Sequence, residues 1–518
     1  MNQMNILLAS KPGSEPIQAI AMDHHTERVA RVRGQVRYFH GRGEQYRIYH
    51  GSTSTTRRTK LSHDTTVDTC QLKHVSFDVE KRVAMIEPNV SMEALVDACL
   101  AVGLMPPVVM EFPAITVGGG FAGTAGESSS FKHGLFDKTI TRIEMILANG
   151  EVVEASIDVR PDLLHAAAGS FGTLGVITLL EMPLLEAKPY VEVIYTTVTS
   201  MEDAITTIED LTANPSIDYL EGIMYSLTSG LIISGRLVSA PSPSAQVHCF
   251  TRPSDPWFYL HAKSRLHQLK PTPDYIPLKD YLFRYDRGSF WAGTYAFSYF
   301  LTPFNAFTRK LLDPLLHNDV MYRALHASHL ADEYVVQDIG FPYSTATEFV
   351  EYLDEACGFY PLWLCPLKMP DDNLSLRPHD PAAFAGGARS KGMMLNIGLW
   401  GPGPRNYDTF VHLNRAIERK TTELGGLKCF YAQGFFTEEE FWGVYDRRWY
   451  EAVRRKYGAE GLKGVWEKLN AAVITWRPLN ELRWRQRARK RVTGLWPLKG
   501  LWGALSVLLG RDGLLRAK

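Results

Sequence analysis

The stretch that most narrows what this chain can fold into is residues 115–132, ITVGGGFAGTAGESSSFK. It holds five glycines, three consecutive serines and two threonines, with one carboxylate, one lysine and no proline. Glycine lets a backbone approach a ligand closely or take positive φ, and hydroxyls and bare N–H groups satisfy phosphate oxygens. The composition therefore points to a phosphate-cradling loop. A flexible linker is the plainer alternative, and the apolar runs on either side argue against it.

Two further stretches have the same character. Arg47-Ile48-Tyr49 reads as a short strand entering residues 50–57, HGSTSTTR. Asp162–Ala168 reads as a short helix, followed by residues 169–175, GSFGTLG, and the apolar strand Val176–Leu180. Between these lie ordinary α+β signals. Val75–Val79 and Val83–Glu87 form a strand pair, and Ser91 caps a helix with Met92, Leu95, Val96, Cys99 and Leu100 on one face. Gly103 closes that helix. Ile143–Ala148 and Glu151–Ala155 form a hairpin about Asn149-Gly150, a favoured two-residue turn. Three donor-rich loops, each joined to a strand, can together surround a pyrophosphate-bearing dinucleotide. His50 is open to two readings, a cofactor ligand or covalent anchor and a plain strand-end histidine.

Residues 118–123 also satisfy the GxGxxG expression of a Rossmann site. That site needs a helix opening directly after the last glycine, and a ribose-binding acid further on. The next residues, TAGESSS, are poor helix material, and no acid ends a strand at the right distance. The Rossmann reading is rejected.

Bulk properties exclude other classes. At 518 residues the chain has room for two or three domains. Lys+Arg and Asp+Glu balance at 56 each, so no global field points to nucleic acid. Six cysteines are scattered without a CxxC pair, which suits a reducing, intracellular compartment and argues against a zinc ribbon. No His/Asp/Glu cluster has metal-ligand spacing, so no metal is expected. The amino terminus lacks the pattern of a signal peptide or membrane helix.

The order of HGSTSTTR, PPVVMEFPAITVGGGFAGTAGESSSFKHGLFDKTI, IEMILANGEVVEAS, DLLHAAAGSFGTLGVIT and EAKPY resembles flavoproteins of the vanillyl-alcohol-oxidase, or PCMH, type. Within them the chain is similar to the Δ24-sterol reductase family and its fungal relatives. The resemblance continues through YIPL (275–278), YVVQD (334–338), YPLWLCP (360–366) and YAQGFFTEEEFWGVYDRRWY (431–450), and covers the chain to about residue 465. It implies an α+β fold: a two-subdomain PCMH-type FAD-binding domain (1–190), then an α+β substrate or cap domain (191–475).

It further implies FAD and the reduction of an isolated side-chain alkene of a sterol, with NADPH as electron donor. Carried over, Gly51, Ser52, Thr53, Ser54 and Thr55 line the pyrophosphate and ribityl chain with Thr116, Val117, Gly118, Gly119, Gly123, Thr124, Glu127, Ser128 and Ser129. Gly172, Gly175, Val176 and Ile177 close over the cofactor. Many relatives anchor the flavin through a histidine in the first loop. Here no histidine comes after Gly51 in that loop, so FAD is expected to be non-covalent.

Alkene reduction needs hydride on one carbon and a proton on the other, with water excluded. Tyr431 is the first candidate acid and Glu111 the second. A packed tyrosine and a carboxylate bonded to loop amides are the plainer readings. The family tends to carry an acid and a tyrosine where this chain has Gln433 and Phe435. That departure leaves open a flavin-dependent oxidase or desaturase of a terpenoid, or a neutral swap. A redox-silent isomerase, cyclase or lipid-binding module is the alternative of another class.

Aromatics crowd residues 257–300, which suits an apolar cavity, and Arg284 and Arg287 among them either anchor a substrate oxygen or lie on the surface. The tail, 476–518, carries eleven Lys/Arg against two acids from Arg477 onward. Leu495, Leu498, Leu501, Trp502, Leu505, Leu508 and Leu509 recur there near helical spacing. This fits an amphipathic helix on an anionic membrane surface, or one docked on the protein itself. The expected place is peripheral, on the cytoplasmic face of a membrane such as the endoplasmic reticulum.

Overall fold

The computed structural model describes residues 6–7, 15–51, 55–57, 61–243, 245–268, 272–369, 392–470, 496–510 and 515–516. Ser52, Thr53 and Ser54 of the first loop, Leu495 and the basic run 483–491 lie outside them.

Two sheets organise the chain. The first has six strands in the order Ile6–Leu7, Val75–Asp78, Val83–Ile86, Gly175–Pro183, Arg142–Leu147, Val152–Ser156. Apart from the parallel pairing of the first two, its neighbours run antiparallel. The hairpin of Arg142–Leu147 with Val152–Ser156 turns through Gly150 at φ +81°. Ser91 caps helix Met92–Leu100 by accepting from the Ala94 amide. An antiparallel sheet of this order leaves no parallel βαβ unit around the glycine run, which removes the Rossmann topology on structural grounds.

The second sheet has eight strands: Asp274–Pro277, Tyr190–Val198, Ser229–Val238, Tyr219–Ser226, Leu362–Lys368, Met393–Pro402, Tyr334–Pro342, Leu427–Lys428. Its strands alternate between two cores, as a period of two requires. Ile223, Leu231 and Ile233 join the core shared with the first sheet. Leu220, Met224 and Ile232 join a separate core covered by helices Met201–Thr212, Tyr343–Ala356 and Tyr407–Glu423. With both faces buried, a strand such as Met393–Pro402 is apolar almost throughout.

The later chain then returns to the first sheet. The Tyr450 hydroxyl lies 2.8 Å from Thr173 Oγ1, and the Tyr457 hydroxyl donates to Asp162 at 2.8 Å. Segment 55–57 is tied to the same returning chain: Thr55 Oγ1 donates to the Tyr431 carbonyl, and the Gln433 amide to Thr56 Oγ1 at 3.0 Å.

The tail helix, Leu498–Leu508, docks on the protein, through its small residues, against helix Asn318–Ser328. A Cβ on Gly503 would lie 2.6 Å from the Ala324 carbonyl oxygen, so only glycine permits this approach. Lys499 pairs with Glu333, and Trp496 Nε1 donates to the Tyr299 carbonyl at 2.7 Å. Its leucines point the other way and stay exposed.

Candidate functional site

The glycine stretch folds differently from the loop expected. Val117–Ala122 is a short helix, begun by extended Thr116, whose Oγ1 accepts from the Gly119 amide. Three glycines are poor helix formers, and packing overrides that preference. The Gly118 amide donates to the Pro88 carbonyl at 2.8 Å, and a Cβ there would stand 2.6 Å from Pro88 Cβ. The helix runs to Gly123, and Thr124 leaves it at φ +48°.

This element walls a cavity of about 340 Å³. Of the expected cofactor residues, Thr55, Thr116, Gly118, Gly119, Gly123, Thr124, Gly172, Gly175, Val176 and Ile177 line it. Val117 is buried in the core, and Gly51 is exposed and off the wall. Glu127, Ser128 and Ser129 also stand behind the wall, a correction to the expected contact. The Glu127 carboxylate accepts from the Ser128 hydroxyl at 2.8 Å, the Ser129 amide at 2.9 Å and the Ser129 hydroxyl. Hydroxyls spent on a buried carboxylate are not presented to a ligand.

The cavity wall also carries cations from distant parts of the chain: Arg47, Arg57 and Lys468. Arg57 lies over the Phe171 ring, 4.5 Å from its centroid, and Lys468 donates to the Phe171 carbonyl. Burial, together with Arg47 and Arg57, pulls the Lys468 ammonium down to about 7. Mutually repelling cations gathered on one buried wall favour an anion between them. His50 lines the same wall; burial first, then Lys468 and Arg57, holds it down to about 4, so it is neutral there.

The cavity is also lined by Phe290, Tyr322, Asp338, Asn396, Trp400, Cys429 and Tyr431. Asp338 sits on strand Tyr334–Pro342 and Asn396 and Trp400 on its neighbour Met393–Pro402. The Tyr431 hydroxyl donates to Asp338 Oδ2, Asn396 Nδ2 donates to Oδ1 at 2.8 Å, and Trp400 Nε1 donates to the Tyr431 oxygen at 3.1 Å. Burial pushes the Asp338 carboxyl up to about 7 against these bonds. An acid poised near neutrality in a cavity wall is a group with a proton to give.

Glu111 lines the cavity too, with Oε1 lacking a hydrogen-bond partner. Burial, then the Glu127 charge, raises it well above the carboxylate range. Neither expectation for Arg284 and Arg287 holds. Both are fully buried, paired with Glu221 at 2.8 Å and Asp313 at 2.6 Å, and off both cavity walls. Gln433 and Phe435 are also absent from both walls, and Phe435 belongs to the core beneath the second sheet.

A second cavity, about 620 Å³, is almost wholly apolar. Phe112, Phe290, Tyr322, Trp400 and Tyr431 line both cavities, so Tyr431 stands at their junction. Of the crowded aromatics, Phe290, Tyr295, Phe297, Tyr299 and Phe300 line it. Trp257, Phe258, Tyr281, Phe283, Tyr285 and Trp291 are packed in the core instead. The remaining cluster of metal-ligand type among the described residues is His248, His261 and Asp274. Arg265 already fills its cationic position, 2.6 Å from Asp274 Oδ1.

The comparisons with known proteins agree with this geometry. Residues 21–156 match the family described as FAD binding domain, and the chain is an FAD-binding flavoprotein. It aligns with the human Delta(24)-sterol reductase at 27% identity over 399 residues, 74% of this chain and 73% of that protein. The pea Delta(24)-sterol reductase is 27% identical over 422 residues, covering 75% and 72%. A Caenorhabditis elegans Delta(24)-sterol reductase homolog is 26% identical over 423 residues, covering 76% of each. Over about three quarters of its length the chain is thus similar to the Delta(24)-sterol reductases. The residues present fit that cofactor: the glycine cradle and the Arg47, Arg57 and Lys468 cations suit a pyrophosphate.

Sequence reasoning missed four of these groups. Asp338 lay inside the YVVQD motif without a role, and Arg57 ended the first hydroxyl loop. Arg47 and Lys468 carry no local signal, because only the fold brings residues more than 400 positions apart to one wall.

Proposed function

We propose that the chain is an FAD-dependent oxidoreductase that reduces an isolated C=C bond in the side chain of a sterol or terpenoid, with NADPH as electron donor. The observation that carries this reading is Tyr431, on the wall shared by a polar, cationic cavity and a larger apolar one, bonded to Asp338 in the wall of the first. FAD, held non-covalently and first reduced by NADPH, would supply the hydride when bound. The protein's own residues do the rest. Arg47, Arg57 and Lys468 hold the pyrophosphate, and side-chain-free Gly118 and Gly119 leave it room against the wall. The apolar cavity takes the hydrocarbon body and excludes water, which would compete for the acid.

With Asp338 protonated the bond reverses: Asp338 donates to the Tyr431 oxygen, and the Tyr431 hydroxyl gives its own proton to the alkene carbon that does not receive hydride and is reprotonated by Asp338. Trp400 and Asn396 fix the orientation of the pair. Glu111, raised by burial and lining the same cavity, is placed to hydrogen-bond what lies there. The loss of polar groups at Gln433 and Phe435 is then a swap away from the reaction.

The division into an FAD-binding domain (1–190), a cap domain (191–475) and a tail (476–518) belongs to the same proposal. So does peripheral contact of the tail with the cytoplasmic face of a membrane such as the endoplasmic reticulum. Among the described residues no helix is long and apolar enough to cross a membrane. Anaerobic titration tests the chemistry. NADPH should bleach the flavin rapidly, and a sterol with an isolated side-chain alkene should restore its colour. Bleaching by substrate, with slow bleaching by NADPH, would establish an oxidase or desaturase instead. Flavin that neither reagent changes would establish the redox-silent class.

A further inference from the structure

The helix Leu498–Leu508 has two faces that serve different partners. Its Gly500, Gly503 and Ser506 side is buried against Tyr299, Phe300 and helix Asn318–Ser328. Ringing the same helix, Gly500, Leu501, Ala504 and Val507 form part of the wall of the apolar cavity. The outward face carries Trp502, Leu505 and Leu508 at 57%, 47% and 67% exposure. Leu501 belongs to both, lining the cavity while 49% exposed, so it stands at the cavity's rim.

The facing part of the rim is equally apolar. Phe297, Phe300, Thr302, Leu312 and Leu315 line the cavity together with the tail helix. Between them, Phe307 and Leu311 project at 74% and 66% exposure on helix Ala306–Leu312. Apolar side chains thus run without interruption from the cavity interior to two exposed helices. An apolar surface of this kind marks a binding site.

The charge pattern says which. Lys310 is exposed on helix Ala306–Leu312. The sequence entering the tail helix contains Arg483, Arg485, Arg487, Arg489, Lys490 and Arg491, with Glu481 the one acid between Arg477 and Leu498. Exposed leucine, tryptophan and phenylalanine, with exposed Lys310 on one helix and a basic stretch preceding the other in sequence, match the interface of an anionic leaflet, where apolar tips insert and cations meet the headgroups. A self-association face needs complementary charge on its partner, and two copies of this basic surface repel.

We infer that helices Leu498–Leu508 and Ala306–Leu312 seat the protein on an anionic bilayer and that the hydrophobic substrate enters the apolar cavity between them, directly from the lipid. This rests on the proposed sterol or terpenoid substrate. The tail helix is then a cavity wall and an anchor at once. A helix held mainly by small residues and a few polar bonds is also one that can move aside to admit a rigid hydrocarbon.

The test uses the full chain loaded with FAD and the double variant Leu505→Glu/Leu508→Glu, both changes at exposed positions. One measurement is co-sedimentation with vesicles of phosphatidylcholine alone or mixed with phosphatidylserine. The other is uptake of a fluorescent sterol, supplied either in those vesicles or as a cyclodextrin complex. The expected result is that the wild type binds the mixed vesicles and the double variant binds about tenfold more weakly or worse. Its sterol uptake should slow similarly from vesicles and stay unchanged from cyclodextrin.

Equal slowing from both donors would overturn the inference, since it would mean a damaged cavity. So would undiminished uptake from vesicles. A wild type that ignores vesicles but dimerises, with the dimer lost in the double variant, would assign the face to a second copy. If sterol enters from neither donor, the sterol reading fails and the entry route with it. Vesicle binding then still decides whether the two helices are an anchor.

Discussion

The two cavities that meet at Phe290, Trp400 and Tyr431 are built by opposite means. The smaller one is made of backbone and charge: glycines packed too closely for any side chain, with cations brought from residues 47, 57 and 468. The larger one is made of side-chain bulk, almost without polar groups, from residues 289–336 and the tail helix. The difference teaches a division of labour. Charge and a close-packed backbone wall fix a cofactor in one pose, whereas apolar bulk accepts a class of hydrocarbon and excludes water. The proton donor sits where both demands meet: Tyr431 lines both chambers, and burial raises its partner Asp338 to about 7.

The sharpest way to break this comparison is at the junction. Asp338→Asn should lower alkene reduction about 10²–10³-fold while NADPH still bleaches the flavin at the wild-type rate. Stopped-flow separation of the two half-reactions checks it, and equal loss in both would place Asp338 on the cofactor side. In the wild type the alkene step should fall as pH rises through about 7, because the acid must be protonated to act.

Next in size is the cationic wall. Lys468→Gln should weaken FAD about ten- to a hundredfold, the cost of one buried charge-assisted bond, with the KM for substrate unchanged. Flavin fluorescence recovery on dilution measures it. Met321→Gln, in the wall of the apolar cavity, should do the reverse: KM higher by about tenfold, FAD affinity intact. If either variant moves both quantities, the two cavities are not independent.

The smallest effect concerns the cofactor half alone. His25 lies between Glu87 at 2.7 Å and Glu144 at 3.2 Å, and despite burial these carboxylates raise it to about 9. Its folded pKa exceeds its unfolded value, so its stabilisation is complete below about 6.5 and lost as pH rises through about 9. The loss should be about 2 kcal/mol. Urea unfolding at several pH values measures it, and hydrogen exchange should locate the weakening in the first sheet.

Much of this was legible in the order of residues. The Asn149-Gly150 turn, the Ser91 cap and the strands flanking each glycine-rich stretch depend on neighbours a few positions away, so local chemistry states them. The tail was half legible: leucine spacing announced a helix with an exposed apolar face. That its glycines dock against Ala324 and Ser328 depends on a partner some 175 residues earlier. Residues 115–132 show the limit most plainly. Their composition announced a ligand-facing element and excluded a Rossmann helix. It also made Glu127 to Ser129 look like ligands, when the fold turns them inward to satisfy each other and, through Ser128, to meet Arg284.

The sequence by itself determined the cofactor class, the α+β architecture and the candidacy of Tyr431, because motif order, turn chemistry and hydrophobic period are local properties. Only the tertiary structure decided which groups share a wall. Asp338 became an acid, Arg284 a core ion pair and Lys468 an anion ligand through burial and neighbours that no stretch of chain contains. A side chain's charge state is set by the medium around it, and the medium exists only once the chain has folded.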